Sequence, residues 1–169
     1  MSDLNLYVAD LAAYNAGFLH GVWVDATDDP ADMEAAVHAM LATSPVPGAE
    51  EYAIHDYEGF GGYPLSEYTR LTEAHEIACF IDDYPSFGAE LLAHVGDLEE
   101  ARKTAEEDYC GRYSSLADYA EELTEQTIEV PAALAYYIDY AALGRDMQIN
   151  GDIFTVETGY EAVHIFWNR

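Results

Sequence analysis

The feature that most constrains this chain is the way its carboxylates are distributed among apolar residues. Acidic side chains run from Asp3 to Glu161 without a long gap, interleaved throughout with Leu, Ile, Val, Tyr and Phe. The 33 Asp and Glu against 6 Lys and Arg give a formal net charge of -27, yet 50% of the 169 residues are hydrophobic. Acidic tails, in contrast, combine like charge with low hydrophobicity and stay disordered. The pattern therefore predicts a folded protein with an acidic surface.

A charge of this size excludes several kinds of partner. Nucleic acids and anionic membranes attract proteins through Lys and Arg, which are scarce here. No run of 18 apolar residues could span a membrane, and the first residues lack the pattern of a secretory signal. Cys79 and Cys110 form no CxxC pair and are too few for a disulfide framework. We expect a cytoplasmic protein whose partner is positively charged.

The N-terminal third predicts antiparallel strands and one helix. LNLYVAD (4–10) and FLHGVWVD (18–25) are rich in strand formers and are separated by the turn-prone YNAG. Asp29 before Pro30 predicts the start of a helix, whose apolar residues recur at helical spacing until the SPVPG break at 44–48. EYAIHDY (51–57) predicts a third strand, in which alternation would send His55 and Asp56 to opposite faces.

The remainder of the chain predicts helices followed by a strand pair. From Ser66 to Glu125 we expect three or four short helices and no strand, with Asp97 and Ser115 as N-caps. VPAALAYYIDYAALGRDM (130–147) predicts one helix that begins at Pro131 and ends near Gly144. DIFTVET and EAVHIFW predict a final antiparallel pair joined by a turn near Gly159. The fold class predicted from these elements is α+β.

Two segments look like metal sites but fail on spacing. An EF-hand loop counted from Asp25 would place Pro30 where glycine is needed and Ala36 where the bidentate glutamate is needed. EAHEIACF begins like the zinc motif HExxH, but Cys79 stands where the second histidine belongs. Two ligands do not make a zinc site, so we expect His75 to be a surface histidine and Cys79 a buried cysteine. No phosphate-binding or nucleophile motif is present, and we expect no catalytic residue, cofactor or metal.

The exposed carboxylates are the better candidates for a functional surface. In the helix expected near 115–126, apolar residues from Leu116 to Leu123 form one stripe and acidic residues form the opposite one. Like charges at these spacings cost about 0.2–0.5 kcal/mol per pair, and only the helix around Lys103 dilutes them with basic residues. Carboxylates on one helix lie roughly 4.5 to 6 Å apart along the axis. Two or three such rows would approach the one charge per ~1.7 Å of duplex DNA.

Three blocks of the chain resemble the ArdA antirestriction family, the acidic proteins of plasmids, transposons and phages that imitate DNA. The blocks are LYVADLAAYNAGFLHGVWVD (6–25), EEYAIHDYEGF (50–60) and VPAALAYYIDYAALGRDM (130–147). The resemblance implies an elongated, curved molecule of three small domains, dimeric through its C-terminal part. We place an N-terminal α+β domain at 1–62, a central helical domain at 63–110 and a C-terminal α+β domain at 111–169.

The resemblance also implies a function and a partner. Family members bind Type I restriction-modification enzymes, through the methyltransferase core, in the groove meant for DNA, and act in the cytoplasm of a bacterial host. Two copies would carry twice -27, or -54, the charge of about 27 base pairs at two phosphates per pair. We expect the following carboxylates to imitate phosphates: Asp25, Asp28, Asp29, Asp32, Glu34, Asp56, Glu58, Asp118, Glu121, Glu122 and Glu125.

Two alternatives remain open at this point. The chain could be an acidic interaction module for another basic DNA-binding partner, such as a nucleoid protein or a CRISPR effector. It could also be an enzyme adapted to a salt-rich cytoplasm, where acidic, lysine-poor surfaces are common; such an enzyme would need a pocket with converging polar groups.

Overall fold

The computed structural model describes residues 3–169, and its helices and antiparallel strands confirm the predicted α+β class. The chain divides into an N-terminal unit that ends at Ala89 and a C-terminal unit that begins at Glu90. Each unit holds one three-stranded sheet. The division into three domains at 1–62, 63–110 and 111–169 stays a prediction.

The N-terminal sheet places its first strand in the middle. Strand β1 (Asn5–Asp10) pairs antiparallel with β2 (Gly21–Asp25) on one side and with β3 (Tyr52–Glu58) on the other. The predicted strand pair and third strand are therefore confirmed. The connection from β1 to β2 contains a short helix, α1 (Leu11–Asn15), that the sequence did not predict. It forms because the buried Asp10 side chain accepts a hydrogen bond from the Ala13 amide at 3.1 Å and caps the helix.

Two longer helices complete the N-terminal unit. Helix α2 (Pro30–Ala42) begins as predicted, because Asp29 Oδ1 accepts a hydrogen bond from the Ala31 amide at 2.9 Å and Pro30 occupies the first turn. Its buried residues, Met33, Val37, Met40 and Leu41, are the ones expected from the periodicity. This helix contacts β1, β2 and helix α3 (Leu71–Asp83). The core of the unit therefore lies on one side of the sheet, under α2.

A β-bulge interrupts the alternation of β3. Tyr7 pairs with Asp56 while the next residue, Val8, pairs with Ile54, so His55 has no partner on β1. His55 and Asp56 are both exposed, and the His55 ring meets Tyr14 of α1 edge-on, with centroids 4.8 Å apart. The simple alternation predicted for these two residues was wrong, because a bulge inserts one extra residue into the strand.

The C-terminal unit places its last strand in the middle. Its strands are β4 (Tyr109–Tyr113), β5 (Ile153–Gly159) and β6 (Ala162–Trp167), in the order β4-β6-β5, all antiparallel. The predicted final pair is confirmed, whereas the prediction of no strand between Ser66 and Glu125 was wrong. YCGRY gives no alternation signal because Gly111, with a φ of 125°, sits at a register shift. Pairing with β6 makes this segment a strand.

Four helices accompany this sheet: α4 (Gly88–Val95), most of which belongs to the unit, α5 (Leu98–Glu107), α6 (Leu116–Thr127) and α7 (Tyr140–Ile149). The predicted caps are confirmed, because Asp97 Oδ1 accepts from the Glu100 amide at 2.9 Å and Ser115 Oγ from the Asp118 amide at 3.1 Å. Helix α5 contacts β4 and β6, and α6 contacts the same two strands and α7.

The helix predicted from Pro131 to Gly144 was wrong at both ends. Residues 131–139 form no α-helix and contain a single 3₁₀ turn, Ala135–Tyr137. Helix α7 begins after Asp139, whose Oδ1 accepts from the Ala142 amide at 3.0 Å, and it continues past Gly144. A Cβ at Gly144 would lie 2.8 Å from Leu116 Cγ. The glycine therefore permits close packing of α7 on α6 rather than ending the helix.

Candidate partner-binding surface

Three of the expected carboxylates meet on one face of the N-terminal sheet. Asn5 lies between Asp25 on β2 and Glu58 on β3, while Tyr7 lies between Trp23 on β2 and Asp56 on β3. Neighbouring strands are about 4.8 Å apart, so Asp25 and Glu58 sit about 10 Å apart across the sheet. We call this surface the open sheet face; it consists of Asn5, Tyr7, Trp23, Asp25, Asp56 and Glu58.

The opposite face of the same strands forms the core. Leu6, Val8 and Val24 alternate with the residues of the open sheet face and are buried. Because successive side chains of a strand point to opposite faces, the buried set turns toward α2 and the polar set turns away from it. The grouping of Asp25, Asp56 and Glu58 thus depends on strand register, which sequence spacing alone does not provide.

Two aromatic side chains stand among these carboxylates, and sequence reasoning missed them. The rings of Tyr7 and Trp23 are tilted against each other with centroids 5.3 Å apart, and Trp23 remains 47% exposed. The Tyr7 ring lies over Gly21, where an added Cβ would be 2.6 Å from Tyr7 Cζ. Each lies between two apolar residues of its strand, Tyr7 between Leu6 and Val8 and Trp23 between Val22 and Val24, and this is the signal that could have identified them.

Four further expected carboxylates lie at or near the start of α2. Asp28, Asp29, Asp32 and Glu34 are all exposed. Asp29 caps the helix, and negative charge near a helix N-terminus is stabilised by the helix dipole. Asp25 is only half-exposed, and its Oδ1 accepts hydrogen bonds from the Thr27 amide at 2.9 Å and the Thr27 hydroxyl at 2.7 Å. Several of these groups therefore hold local structure as well as presenting charge.

The last four expected carboxylates form a row on α6, in the C-terminal unit. Asp118, Glu121, Glu122 and Glu125 are exposed, while Tyr119, Ala120 and Thr124 on the other side of the helix are buried. We call these four residues the α6 row. Burial, followed by a hydrogen bond with Glu122, raises the pKa of the half-buried Tyr113 to about 12. The predicted amphipathic helix is confirmed.

Two carboxylates are buried and cannot contribute to the surface. Asp108 lies 2.6 Å from Arg169 through its Oδ1 and the arginine Nε. Asp10 caps α1; burial by itself would raise its pKa, but hydrogen bonds from Ser44 and Ala13 and the charge of His20 leave the pKa below its ordinary value. Asp10 is the last residue of β1 and Asp108 directly precedes β4. Nothing in the sequence distinguishes these two acids from the exposed ones.

The residues considered for metal binding have structural partners. His75 Nδ1 lies 2.9 Å from the Ala26 carbonyl oxygen, and Cys79 Sγ lies 3.6 Å from His75 Nε2. Both side chains are half-buried, so neither the surface position expected for His75 nor the full burial expected for Cys79 is found. Among residues 3–169, no three His, Cys, Asp or Glu side chains are grouped so that they could hold a metal ion.

A second surface feature is apolar. Residues 128–138 and the exposed end of α7 present large hydrophobic side chains to solvent, with Tyr136 97% and Tyr137 84% exposed. Ile128, Leu134 and Ile149 are also exposed. We call residues 128–138 the apolar segment. Large exposed apolar side chains grouped in one segment make it a candidate interaction site. Over the part of the chain that the structure describes, no helix is both long and apolar enough to cross a bilayer.

Comparison with models of protein families gives a match over most of the chain. A family model described as antirestriction protein (ArdA) matches residues 6–162 of the 169-residue chain. The matched region contains all eleven expected carboxylates, the apolar segment and every residue of the open sheet face except Asn5. Among curated proteins, no sequence matches the chain significantly.

Proposed function

The chain belongs to the ArdA family of antirestriction proteins, and we propose that it inhibits Type I restriction-modification enzymes as a mimic of DNA. Antirestriction is the function of the family. In our proposal, the protein occupies the groove in which the methyltransferase core binds DNA, and its carboxylates replace the phosphates. The observation that carries the proposal is the set of exposed carboxylates held on regular helices and strands.

The spacing of these carboxylates supports phosphate mimicry. Apart from the adjacent Glu121 and Glu122, neighbours in the α6 row are three or four residues apart, which separates them by roughly 4.5 to 6 Å along the helix axis. Asp56 and Glu58 are two residues apart on β3, or about 6.7 Å. A duplex carries one charge per ~1.7 Å of its axis, so several such rows must act together. A single charge change should therefore have little effect on binding.

Electrostatics also determines how such an inhibitor would bind. A protein with a net charge of -27 is attracted to a basic groove. Salt screens this attraction beyond the Debye length, which is about 8 Å at physiological ionic strength. Association should be fast at low salt and should weaken as salt rises.

The proposal can be tested by competition with labelled DNA for a purified Type I methyltransferase. We expect the protein to displace the DNA, with displacement weakening as salt rises. Neutralising the α6 row through Asp118→Asn, Glu121→Gln, Glu122→Gln and Glu125→Gln should weaken displacement more than neutralising four carboxylates of α5, namely Glu99, Glu100, Glu106 and Glu107. The two variants have the same net charge, so the comparison separates the charge pattern from total charge.

Failure to displace DNA at any salt concentration would exclude the proposal. Equal weakening by the two neutralised proteins would show that total charge acts without a defined pattern. If extracts of a host cell yielded a different basic DNA-binding protein and no restriction enzyme, the interaction-module alternative would replace this one.

We also propose that the protein forms a homodimer through the apolar segment. Exposed tyrosine and leucine side chains lose unfavourable contact with water when a second copy covers them. Light scattering coupled to gel filtration should give the mass of two chains for the wild-type protein. Leu134→Glu combined with Tyr137→Glu should give one chain, whereas Tyr160→Glu, at an exposed tyrosine outside the segment, should not. A monomeric wild-type protein at every concentration would contradict this proposal.

A further inference from the structure

We infer that the open sheet face binds arginine side chains of the partner, in preference to lysine side chains, through Trp23 and the carboxylates around it. The inference rests on the proposed function for the identity of the partner, but its chemistry can be tested separately. Phosphate mimicry requires charge alone, whereas an arginine site adds contacts between a guanidinium and aromatic rings.

The first supporting observation is the exposure of a tryptophan in the middle of a strand. Trp23 is flanked along β2 by the half-buried Val22 and the buried Val24, yet 47% of its own surface faces solvent. Leaving such a large apolar ring in water is unfavourable. The Tyr7 ring beside it lies over Gly21 and is tilted by 45° to the Trp23 ring, so the two rings form one aromatic surface with two faces at an angle.

The second observation is the arrangement of carboxylates around these rings. One row across the sheet runs Trp23, Tyr7, Asp56, and the neighbouring row runs Asp25, Asn5, Glu58. Directly opposed side chains in a sheet are about 5 Å apart and diagonal ones about 7 to 8 Å apart. A cation resting on the rings therefore has carboxylates within reach on more than one side.

This combination favours a guanidinium over an ammonium. Arginine is planar, weakly hydrated and able to stack on an aromatic face while its N–H groups bond carboxylate oxygens in pairs. The lysine ammonium is compact and strongly hydrated, so it gains less from the rings. Helix α6 has no exposed aromatic residue, because its one tyrosine, Tyr119, is buried, and Tyr113, which bonds Glu122, is only half-buried. The α6 row should bind the two cations alike.

Charge complementarity decides between possible occupants of the face. A second copy of the chain would bring its own carboxylates against Asp25, Asp56 and Glu58. Nucleic-acid bases could stack on Trp23, but their phosphates would meet the same repulsion, as would an anionic lipid surface. A protein surface rich in arginine fits both the rings and the charge.

The chemistry can be tested with short peptides and single-tryptophan proteins. The chain has two tryptophans, so Trp167→Phe leaves Trp23 as the sole reporter and Trp23→Phe leaves Trp167. Tetra-arginine should change the fluorescence of Trp23 but not that of Trp167. By calorimetry it should bind roughly two- to five-fold more tightly than tetra-lysine, as expected for an exposed cation–π contact. Trp23→Thr should remove the preference, and Trp23→Phe should keep most of it.

The outcomes separate this inference from the proposed function. Equal binding of the two peptides, or a preference that survives Trp23→Thr, would overturn the inference. So would a Trp23→Thr protein that displaces DNA from the methyltransferase as well as wild type does, while the proposed function would stand. If the protein does not displace DNA but retains the arginine preference at Trp23, the proposed function falls and the arginine site remains.

A second variant tests the inference if Trp23→Thr fails to fold. Asp56→Asn combined with Glu58→Gln keeps both rings and should weaken the binding of both peptides. Unchanged binding would overturn the inference.

Discussion

The two sheets of this protein have the same number of strands but use their faces differently. In the N-terminal sheet, Leu6 and Val8 of the central strand are buried, while Asn5 and Tyr7, which alternate with them, are only half-buried. In the C-terminal sheet, five consecutive residues of the central strand, 162–166, are buried. The first sheet therefore has one face available for a partner, and the second has both faces covered.

The covered faces of the C-terminal sheet have different contents. Val163 and Ile165 pack in a cluster with Tyr119 of α6 and Ile153 of β5. On the other face, the Phe166 ring stacks on Phe154 with centroids 5.1 Å apart, and Phe154 stacks on His94 at 4.5 Å. Most carboxylates of this unit are therefore presented by its helices, although Glu157 of β5 is also exposed. Two sheets with the same number of strands can therefore differ in role, depending on which helices pack on them. One leaves a face open to a partner, and the other supports helices on both faces.

The largest loss of stability should come from truncating Phe166, in the central strand of the C-terminal sheet. Phe166→Ala removes a fully buried ring and should lower the free energy of unfolding by about 3–5 kcal/mol. Trp23→Ala on the open sheet face removes a larger ring but should cost only about 1 kcal/mol, because the ring is half in water and its main loss is one aromatic contact. Urea unfolding measures both, and similar losses would contradict the distinction between the sheets.

A slightly smaller loss of stability should follow from a substitution at Gly59, directly after β3 of the N-terminal sheet. Gly59 has a φ of 84°, and a Cβ there would overlap the carbonyl oxygen of Asp3. Gly59→Ala should therefore cost at least about 2 kcal/mol, through backbone strain and displacement of the chain before β1. Gly62→Ala is the matched control, because Gly62 has a φ of 83° but open space around its Cα. Its cost should be limited to the backbone strain, about 1 kcal/mol, and thermal unfolding of the two proteins should show the difference.

The two sheets should also respond to acid in different pH ranges. Burial, and then the charge of Arg112, lowers the pKa of His164 below its ordinary 6.5; the ring lies between the Tyr109 hydroxyl at 2.8 Å and the Thr158 hydroxyl at 3.2 Å. As pH falls through 6.5, the unfolded chain takes up a proton that the folded chain refuses, so stability present above this pH is lost below it. The loss is at most about 1.4 kcal/mol per pH unit. Asp10 of the open sheet, whose pKa is lowered from 3.8, should lose its contribution only in stronger acid.

The single-tryptophan proteins allow each sheet to be followed separately, since Trp23 lies in β2 and Trp167 in β6. Between pH 7 and about 5.5, unfolding reported by Trp167 should shift to lower urea, and the shift should disappear in His164→Gln, which can still hydrogen-bond but does not titrate. A shift that remains in His164→Gln would show that another group is responsible.

The smallest effect should come from the α6 row. Glu121 and Glu125 are four residues apart, and replacing both by Gln removes a like-charge pair, which should raise stability by about 0.2–0.5 kcal/mol at low salt. The gain should vanish in 1 M salt, where screening acts within about 3 Å. Replacing Glu99 and Glu106 on α5 should give no gain, because Glu99 lies four residues from Lys103 and Glu106 four residues from Arg102. A gain that is unchanged by salt would exclude a charge effect.

Local signals in the sequence predicted most of the regular elements. The caps at Asp29, Asp97 and Ser115 were recognisable because a side-chain oxygen bonds an amide only two or three residues away. Helix periodicity likewise identified the buried side of α2 and the exposed α6 row. The failures share one property, which is that a distant partner decides the structure. Strand β4 exists through β6, and Gly144 remains inside a helix because Leu116 lies against it.

The sequence by itself determined that this protein folds, that its surface is acidic, and that it belongs to an antirestriction family. Those properties follow from composition, local hydrogen bonding and recognisable blocks of residues. Tertiary structure alone decided which carboxylates act as surface, because Asp10 and Asp108 are buried while Asp25, Asp56 and Glu58 meet on one sheet face. It also placed Trp23 and Tyr7 among them. The physical reason is that strand register joins residues far apart in the chain, and local interactions carry no information about it.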